Sequence, residues 1–193
     1  MFRKKHEFKP DKMGAGFLSK LFLTQRQRLS LVKWLLLALV LLALSLLQDV
    51  ILCRVSIRGA TTDLVSAGIL LLCLMLPTDS GAVFALVSSL LFYFSGSAAG
   101  PYVIAFLTGT GVLLNIFRSS YLRKSFGSTF LCAAAAMTLC EMLIFLTGLF
   151  LGHTTAQRFP GFCITAGLSV AVMPLLYPLF LSIGKIGGDS WKE

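Results

Sequence analysis

The chain has 193 residues and a formal net charge of +9, and 56% of its residues are hydrophobic against 13% charged, where ordinary soluble domains carry roughly 25% charge. A mean hydropathy of +0.86 and runs such as Trp34 to Leu47 and Phe130 to Phe150, the second broken only by Glu141, exclude a soluble globular domain and indicate an integral membrane protein. The basic excess does not indicate nucleic acid, because the cations sit in tails and loops beside apolar runs, where they set topology.

Residues 1–33 form a basic tail in which nine cations face Glu7 and Asp11, a cytoplasmic marker suited to an anionic leaflet. Within it Phe17, Leu18, Leu21 and Phe22 fall at helical spacing among Lys20, Arg26 and Arg28. That pattern reads either as a helix lying on the inner leaflet or as a disordered basic tail. The first apolar run, 34–53, matches the roughly 30 Å of a bilayer core at about 1.5 Å per residue. Trp34 and Lys33 mark its inner edge, and the long basic region before it argues for a retained anchor over a cleaved signal. Lipoprotein cleavage ahead of Cys53 is disfavoured because Leu52 occupies the position that wants a small residue.

Next comes "LQDVILCRVSIRGATTDLV", read as an outer loop. Asp49 ends one helix and Asp63 starts the next, with Arg54 and Arg58 between them to neutralise both. Residues 64–76 and 81–95 are two shorter apolar segments joined by "PTDSG", where Pro77 stops one helix and Asp79 or Ser80 can cap the next. They are short for full spans, so they are expected to be tilted, buried by neighbours or paired as a re-entrant hairpin. "SGSAAGP" is a small-residue turn before a fourth helix from Pro101 to about Arg118, with Pro101 at its first position. A fifth helix covers about 128–151 and a sixth runs from Pro160 to about Ile183, where Pro174 and Pro178 are expected to kink it. A six-helix domain, 34–183, thus lies between the basic tail and a cytoplasmic tail, 184–193. With both termini inside, fourteen cations lie on the inner side and three (Arg54, Arg58 and Arg158) on the outer, as the positive-inside rule requires. The fold expected is an all-α polytopic membrane bundle.

Small residues recur every four positions at Gly81, Ala85 and Ser89, at Gly161, Thr165 and Ser169, and on the fourth helix at Ala105 and Gly109, then Gly111 and Asn115. Flat ridges of this kind let membrane helices approach closely, so these are helix-packing candidates. Glu141 is the sole acid within a long apolar helix, and an ionisable group at that depth must be paired, protonated or wetted. The readings open to it are a transport step, a substrate contact, or an interhelical hydrogen bond to Asn115 or a Ser/Thr. Ala133 to Ala136 leave room beside it for a partner helix. Cys53, Cys73, Cys132, Cys140 and Cys163 are scattered singly, and His6 and His153 lie far apart. No metal or cofactor motif is present, no nucleophile elbow and no paired catalytic acids, so no catalytic residue is assigned and a non-enzymatic protein is expected.

The order of features over about 34–183 resembles the rod shape-determining protein MreD family of bacterial cell elongation. The resemblance rests on a Leu-rich first helix ending in "LLQD", the entry "TTDLV" where the family has Pro-Asp-Leu, "SGSAAG", a basic connection after helix four, "TLCE" in helix five, and a proline-led last helix ending in "LLYPLF". The chain departs from the family at Thr62 and at Phe92, Tyr93 and Phe94, where the family has a proline and an acid. The resemblance implies a scaffold subunit of the peptidoglycan-synthesising elongation machinery in the bacterial inner membrane. It would bind MreC and, through it, MreB, RodA and a penicillin-binding transpeptidase. Asp49, Arg54, Arg58, Asp63, Asn115 and Glu141 are the candidate partner-binding or structural residues. The family is similar in fold to the substrate-binding subunits of energy-coupling-factor vitamin transporters, which makes such a subunit the rival reading. Helix one has Ala38 and Ala43 five apart, not the four-residue spacing expected of a subunit that docks a coupling protein, and this favours the scaffold.

Overall fold

The structure, a computed structural model, describes residues 25–54, 56, 59–96, 98–121 and 125–185. The tail pattern at Phe17 to Phe22, Arg58, and the C-terminal residues 186–193 lie outside the described residues. Six α-helices follow one another: α1 (Gln25–Val50), α2 (Leu64–Met75), α3 (Thr78–Phe94), α4 (Tyr102–Tyr121), α5 (Phe126–Phe150) and α6 (Phe159–Gly184). Single 3₁₀ turns sit at Leu52–Arg54 and Ala156–Arg158, and no strand occurs among the described residues. Four helices, α1, α4, α5 and α6, are long and apolar enough to cross a membrane, whereas α2 and α3 are shorter apolar helices.

Helix α1 already covers Gln25 to Lys33, the nine residues before the apolar run, because this basic segment contains no glycine or proline to break a helix. Helix α3 begins at Thr78, so Ser80 is already inside it and its hydroxyl turns back onto the Pro77 carbonyl at 3.2 Å. Helix α6 runs unbroken through Pro174 and Pro178.

The architecture is set by α2. Its twelve residues, "LVSAGILLLCLM", are all buried, and a helix apolar on every side can be stable only when surrounded. Helices α1, α3, α4, α5 and α6 all pack against it. At about 1.5 Å per residue it is about 18 Å long, well short of a bilayer core. Gly68 is part of the reason α1 and α6 can close on it, since a Cβ there would stand 3.1 Å from Leu44 Cδ1 and 3.6 Å from the Phe180 ring. Short connections alternate the helix directions. The α1–α2, α3–α4 and α5–α6 connections therefore share one end, the loop end, and the opposite end carries the first turn of α1, the last turn of α6 and the α2–α3 and α4–α5 turns.

Of the small-residue stripes, Gly81, Ala85 and Ser89 form the α3 face against α4. Ala85 and Ser89 are fully buried, and the Ser89 hydroxyl is hydrogen-bonded to the Thr108 hydroxyl at 2.9 Å. A Cβ on Gly81 would collide with the Asn115 amide, and one on Gly111 would stand 3.0 Å from Cys73 Sγ. Ala105 and Gly109 are exposed, with nothing within 4 Å of a Cβ on Gly109. They do not pack against another helix here: Gly111, two residues and about 200° further round the helix, is on the packed side and they are not. On α6 only Ser169 is fully buried, while Gly161 and Thr165 are partly exposed.

Candidate functional site

The two ends of α2 gather most of the polar groups inside the bundle. At the end with the α2–α3 turn, the last carbonyls of α2 have no intrahelical donor, as at every helix C-terminus. Asn115, 2% exposed on α4, satisfies them. Its amide nitrogen donates to the carbonyls of Cys73 at 2.9 Å, Leu76 at 3.2 Å and Pro77 at 3.5 Å. Arg118, one turn further along α4, donates from Nη1 to the same Leu76 carbonyl at 3.4 Å. Asn115 therefore does not bond Glu141. Its amide is committed to the turn, and Glu141 belongs to the other end of α2.

At the loop end Asp63 caps α2, its Oδ1 accepting the Ser66 N–H at 3.1 Å. The Asp63 N–H donates to Ser169 Oγ on α6 at 2.9 Å, and the Ser169 hydroxyl donates to the Thr165 carbonyl at 2.8 Å. Gln48 on α1 accepts the Val65 N–H at 2.9 Å, and its amide also faces the Asp63 carboxyl. Two helices, α1 and α6, are thus pinned to the first turn of α2. Ser169 stands ten residues into α6, about 15 Å from its start. The loop-end terminus of α2 is therefore sunk well below the loop-end terminus of α6, and the chain after α1 dips into the bundle to reach it, burying Ala60 and Thr62 on the way.

Glu141 lies on the inward stripe of α5, with Met137, Cys140, Ile144 and Phe145, and is 6% exposed. It is nine residues from the end of α5, about 14 Å, a depth similar to that of Ser169. Glu141 and Asp63 are near enough to feel each other's charge. The Cys140 thiol feels both carboxyls and sits beside the Thr110 hydroxyl. Among the described residues neither acid forms an ion pair. The sequence expectation that arginines of the first loop neutralise Asp63 is not met by Arg54, which is exposed at the end of its 3₁₀ turn. Asp63 instead takes its partners from the N-terminal turn it caps, from Gln48 on α1 and from Ser169 on α6. Asp49 is exposed near the end of α1.

Three clefts open on this frame. One of about 500 Å³ lies between α1 and α3, lined by Trp34, Leu41, Phe84, Leu91 and other apolar groups. A second, of about 780 Å³, runs between α5 and α6, with Glu141 at its inner wall and Phe145, Phe162 and Cys163 around it. A third, of about 630 Å³ at the loop end, is bounded by Thr61, Gln157, Arg158, Gly161 and Thr165. Gln48, Ser66 and Thr110 were not singled out from the sequence. Only Ser66 carried a signal, being three residues after the capping acid, where a first-turn N–H returns to the cap. No group of three or more His, Cys, Asp or Glu able to hold a metal occurs among the described residues. No protein-family model, curated protein or solved structure matches the chain.

Proposed function

We propose that this protein is a non-enzymatic, multi-pass scaffold subunit of the bacterial cell-elongation machinery in the inner membrane, binding a single-span MreC-like partner. The reading starts from the resemblance to the MreD family, and one structural observation supports it best. Helix α1 is apolar over Arg28–Val50, yet only 11% of its most apolar window is buried within the chain. It also stands off from α3 across an apolar cleft of about 500 Å³. A helix with this much unpartnered surface, around a bundle whose centre is filled by α2, suits lateral contact with another membrane helix better than enclosure of a substrate. In this reading the six helices form one membrane domain, with α2 enclosed within protein rather than bridging the layer by itself, and both termini face the cytoplasm in accord with the cation asymmetry.

The rival reading, a substrate-binding subunit of a vitamin transporter, draws support from the loop-end cleft with Arg158, Gln157 and Thr61 at its mouth. Affinity purification of the tagged full chain from bacterial membranes separates the two. Recovery of a single-span MreC-like protein is expected, and recovery of a coupling-factor ATPase or of a bound vitamin by mass spectrometry sinks the scaffold reading.

A further inference from the structure

Glu141 is 6% exposed and lines the cleft of about 780 Å³ between α5 and α6. Among the described residues its carboxyl makes no hydrogen bond and no ion pair. The register of the two helices leaves space in front of it. The Phe145 and Phe162 rings meet at 4.9 Å between centroids, and the helices run antiparallel, so four residues deeper on each Glu141 comes level with Ala166 and Gly167. Both residues are small, and a Cβ on Gly167 would meet nothing within 4 Å. A second oxygen stands beside the acid. Thr138, one turn further along the α5 wall, donates its hydroxyl hydrogen to the Ala135 carbonyl at 2.8 Å, which leaves its oxygen able only to accept. Apart from these two and Cys163, the side chains lining the cleft are apolar, with no basic residue among them.

We propose that the α5–α6 cleft binds an amphiphilic organic cation, a protonated amine on an aromatic or alkyl body, with its ammonium on Glu141 and Thr138 and its body against Phe145 and Phe162. The charge of the ligand follows from complementarity: a carboxyl and a hydroxyl oxygen set among apolar groups call for N–H donors that carry positive charge. Its apolar body follows from position. Glu141 is about 14 Å from the end of α5, and the approach runs past Leu139, Met142 and the phenylalanines, walls that do not replace the water shell of an inorganic ion. Its size follows from the volume, since 780 Å³ lies within the roughly 300–1,000 Å³ of small-molecule sites. Phe145 also meets Phe159 at 5.4 Å, and the three rings form an aromatic wall above the acid on which a cation or a second ring can rest. A lipid acyl chain would fill the same space and leave the acid without a donor, so it does not complete the site.

The scaffold reading rests on the α1 surface and this one on the α5–α6 cleft, so either can fail alone. The probe is tritiated phenylbutylamine, a cation at neutral pH, measured by equilibrium dialysis with the purified full chain in detergent against matched empty micelles. Phenylbutanol and phenylbutyrate are its neutral and anionic counterparts. Saturable binding of the amine, displaced by neither counterpart, is expected. Cys163, exposed within the cleft, reports where it binds: in a chain with Cys53 and Cys132 replaced by serine, the amine should slow maleimide labelling of Cys163. Glu141→Gln should weaken binding at least about tenfold and Thr138→Val about fivefold, as loss of a charged and of a neutral acceptor does. Gly167→Leu, whose Cβ meets nothing, should fill the void and abolish binding at unchanged Tm; it serves if the acid variant does not fold. The proposal is overturned if phenylbutanol competes as well as the amine does, if Glu141→Gln or Gly167→Leu binds the amine like the wild type, or if the amine leaves Cys163 labelling unchanged. It is also overturned if a co-purified membrane protein, and not the amine, protects Cys163, which would make the cleft a helix-docking surface.

Discussion

The two ends of α2 present similar problems to the bundle and resolve them in opposite ways. At the turn into α3, a neutral amide and a guanidinium answer the carbonyls at a buried helix C-terminus, and Asn115 reaches those of Cys73 and Leu76 as well as the Pro77 carbonyl that opens α3. At the loop end a carboxylate caps the N-terminus as expected, but a second acid and a buried hydroxyl are left over. The first end is structural to its last hydrogen bond. The second contains polar groups that folding alone does not require, and unused buried polarity is where function should be sought.

This contrast can be broken by mutation. Asn115→Leu should have the largest effect, leaving the buried Cys73 carbonyl without its donor and setting apolar atoms against the Leu76 and Pro77 carbonyls, at a cost of about 3 kcal/mol, the upper end of the roughly 1–3 for one orphaned group. The loss is read as reduced Tm of the full chain in detergent. Gly81→Val should follow at about 1–3 kcal/mol, because the added atoms meet the Asn115 amide and force that clamp open. If Gly81→Val costs nothing in the Asn115→Leu background, the two act through the same contact. Glu141→Gln should change stability by less than about 1 kcal/mol in either direction, because it removes an acid with no ion-pair partner among the described residues. A large loss there would mean that the loop end is as structural as the other and would erase the distinction. Ser89→Ala should cost about 0.6 kcal/mol, the usual worth of one interhelical hydroxyl contact in a membrane bundle. The smallest effect is expected for Ala105→Leu, within about 0.5 kcal/mol of zero, since the residue is exposed and packs against no helix.

Much of the fold was legible in the chain. Apolar runs and their proline and glycine punctuation placed α4, α5 and α6 to within a few residues, and Asp63 as the cap of α2 could be read from its position before an apolar run. The helical course of Gln25 to Lys33 was not legible, because hydropathy reports where a helix meets lipid, while this segment continues the helix without being apolar. The central place of α2 was not legible either. Its composition said only that it is apolar on all sides, and a segment of that kind can face lipid or sit in a core; which one depends on contacts with α4 and α6, far away in sequence. The same holds for the candidate site. Glu141 stood out alone from its surroundings, but its similar depth to the Asp63 end of α2, 78 positions earlier in the chain, follows from α2 being sunk toward the depth of Ser169. Ala105 and Gly109 were grouped with the packing residues because four-residue spacing marks a face without saying which way that face turns.

The length of α2 also bears on how the protein is made. At about 18 Å it cannot bridge a roughly 30 Å hydrocarbon layer by itself, and the donor for its last carbonyls is carried by α4, which emerges later from the ribosome. The α2–α3 hairpin is therefore a poor candidate for stepwise release into lipid. It should stay at the insertion machinery, or shallow in the interface, until α4 arrives to clamp the Pro77 turn and α6 to bond the Asp63 amide. Chains truncated before Tyr102 should accordingly show α2 and α3 accessible to glycosylation or thiol labelling at positions that the finished protein hides. Assembly of the shortest helix would thus be the last event in biogenesis, although it is the second helix to be synthesised.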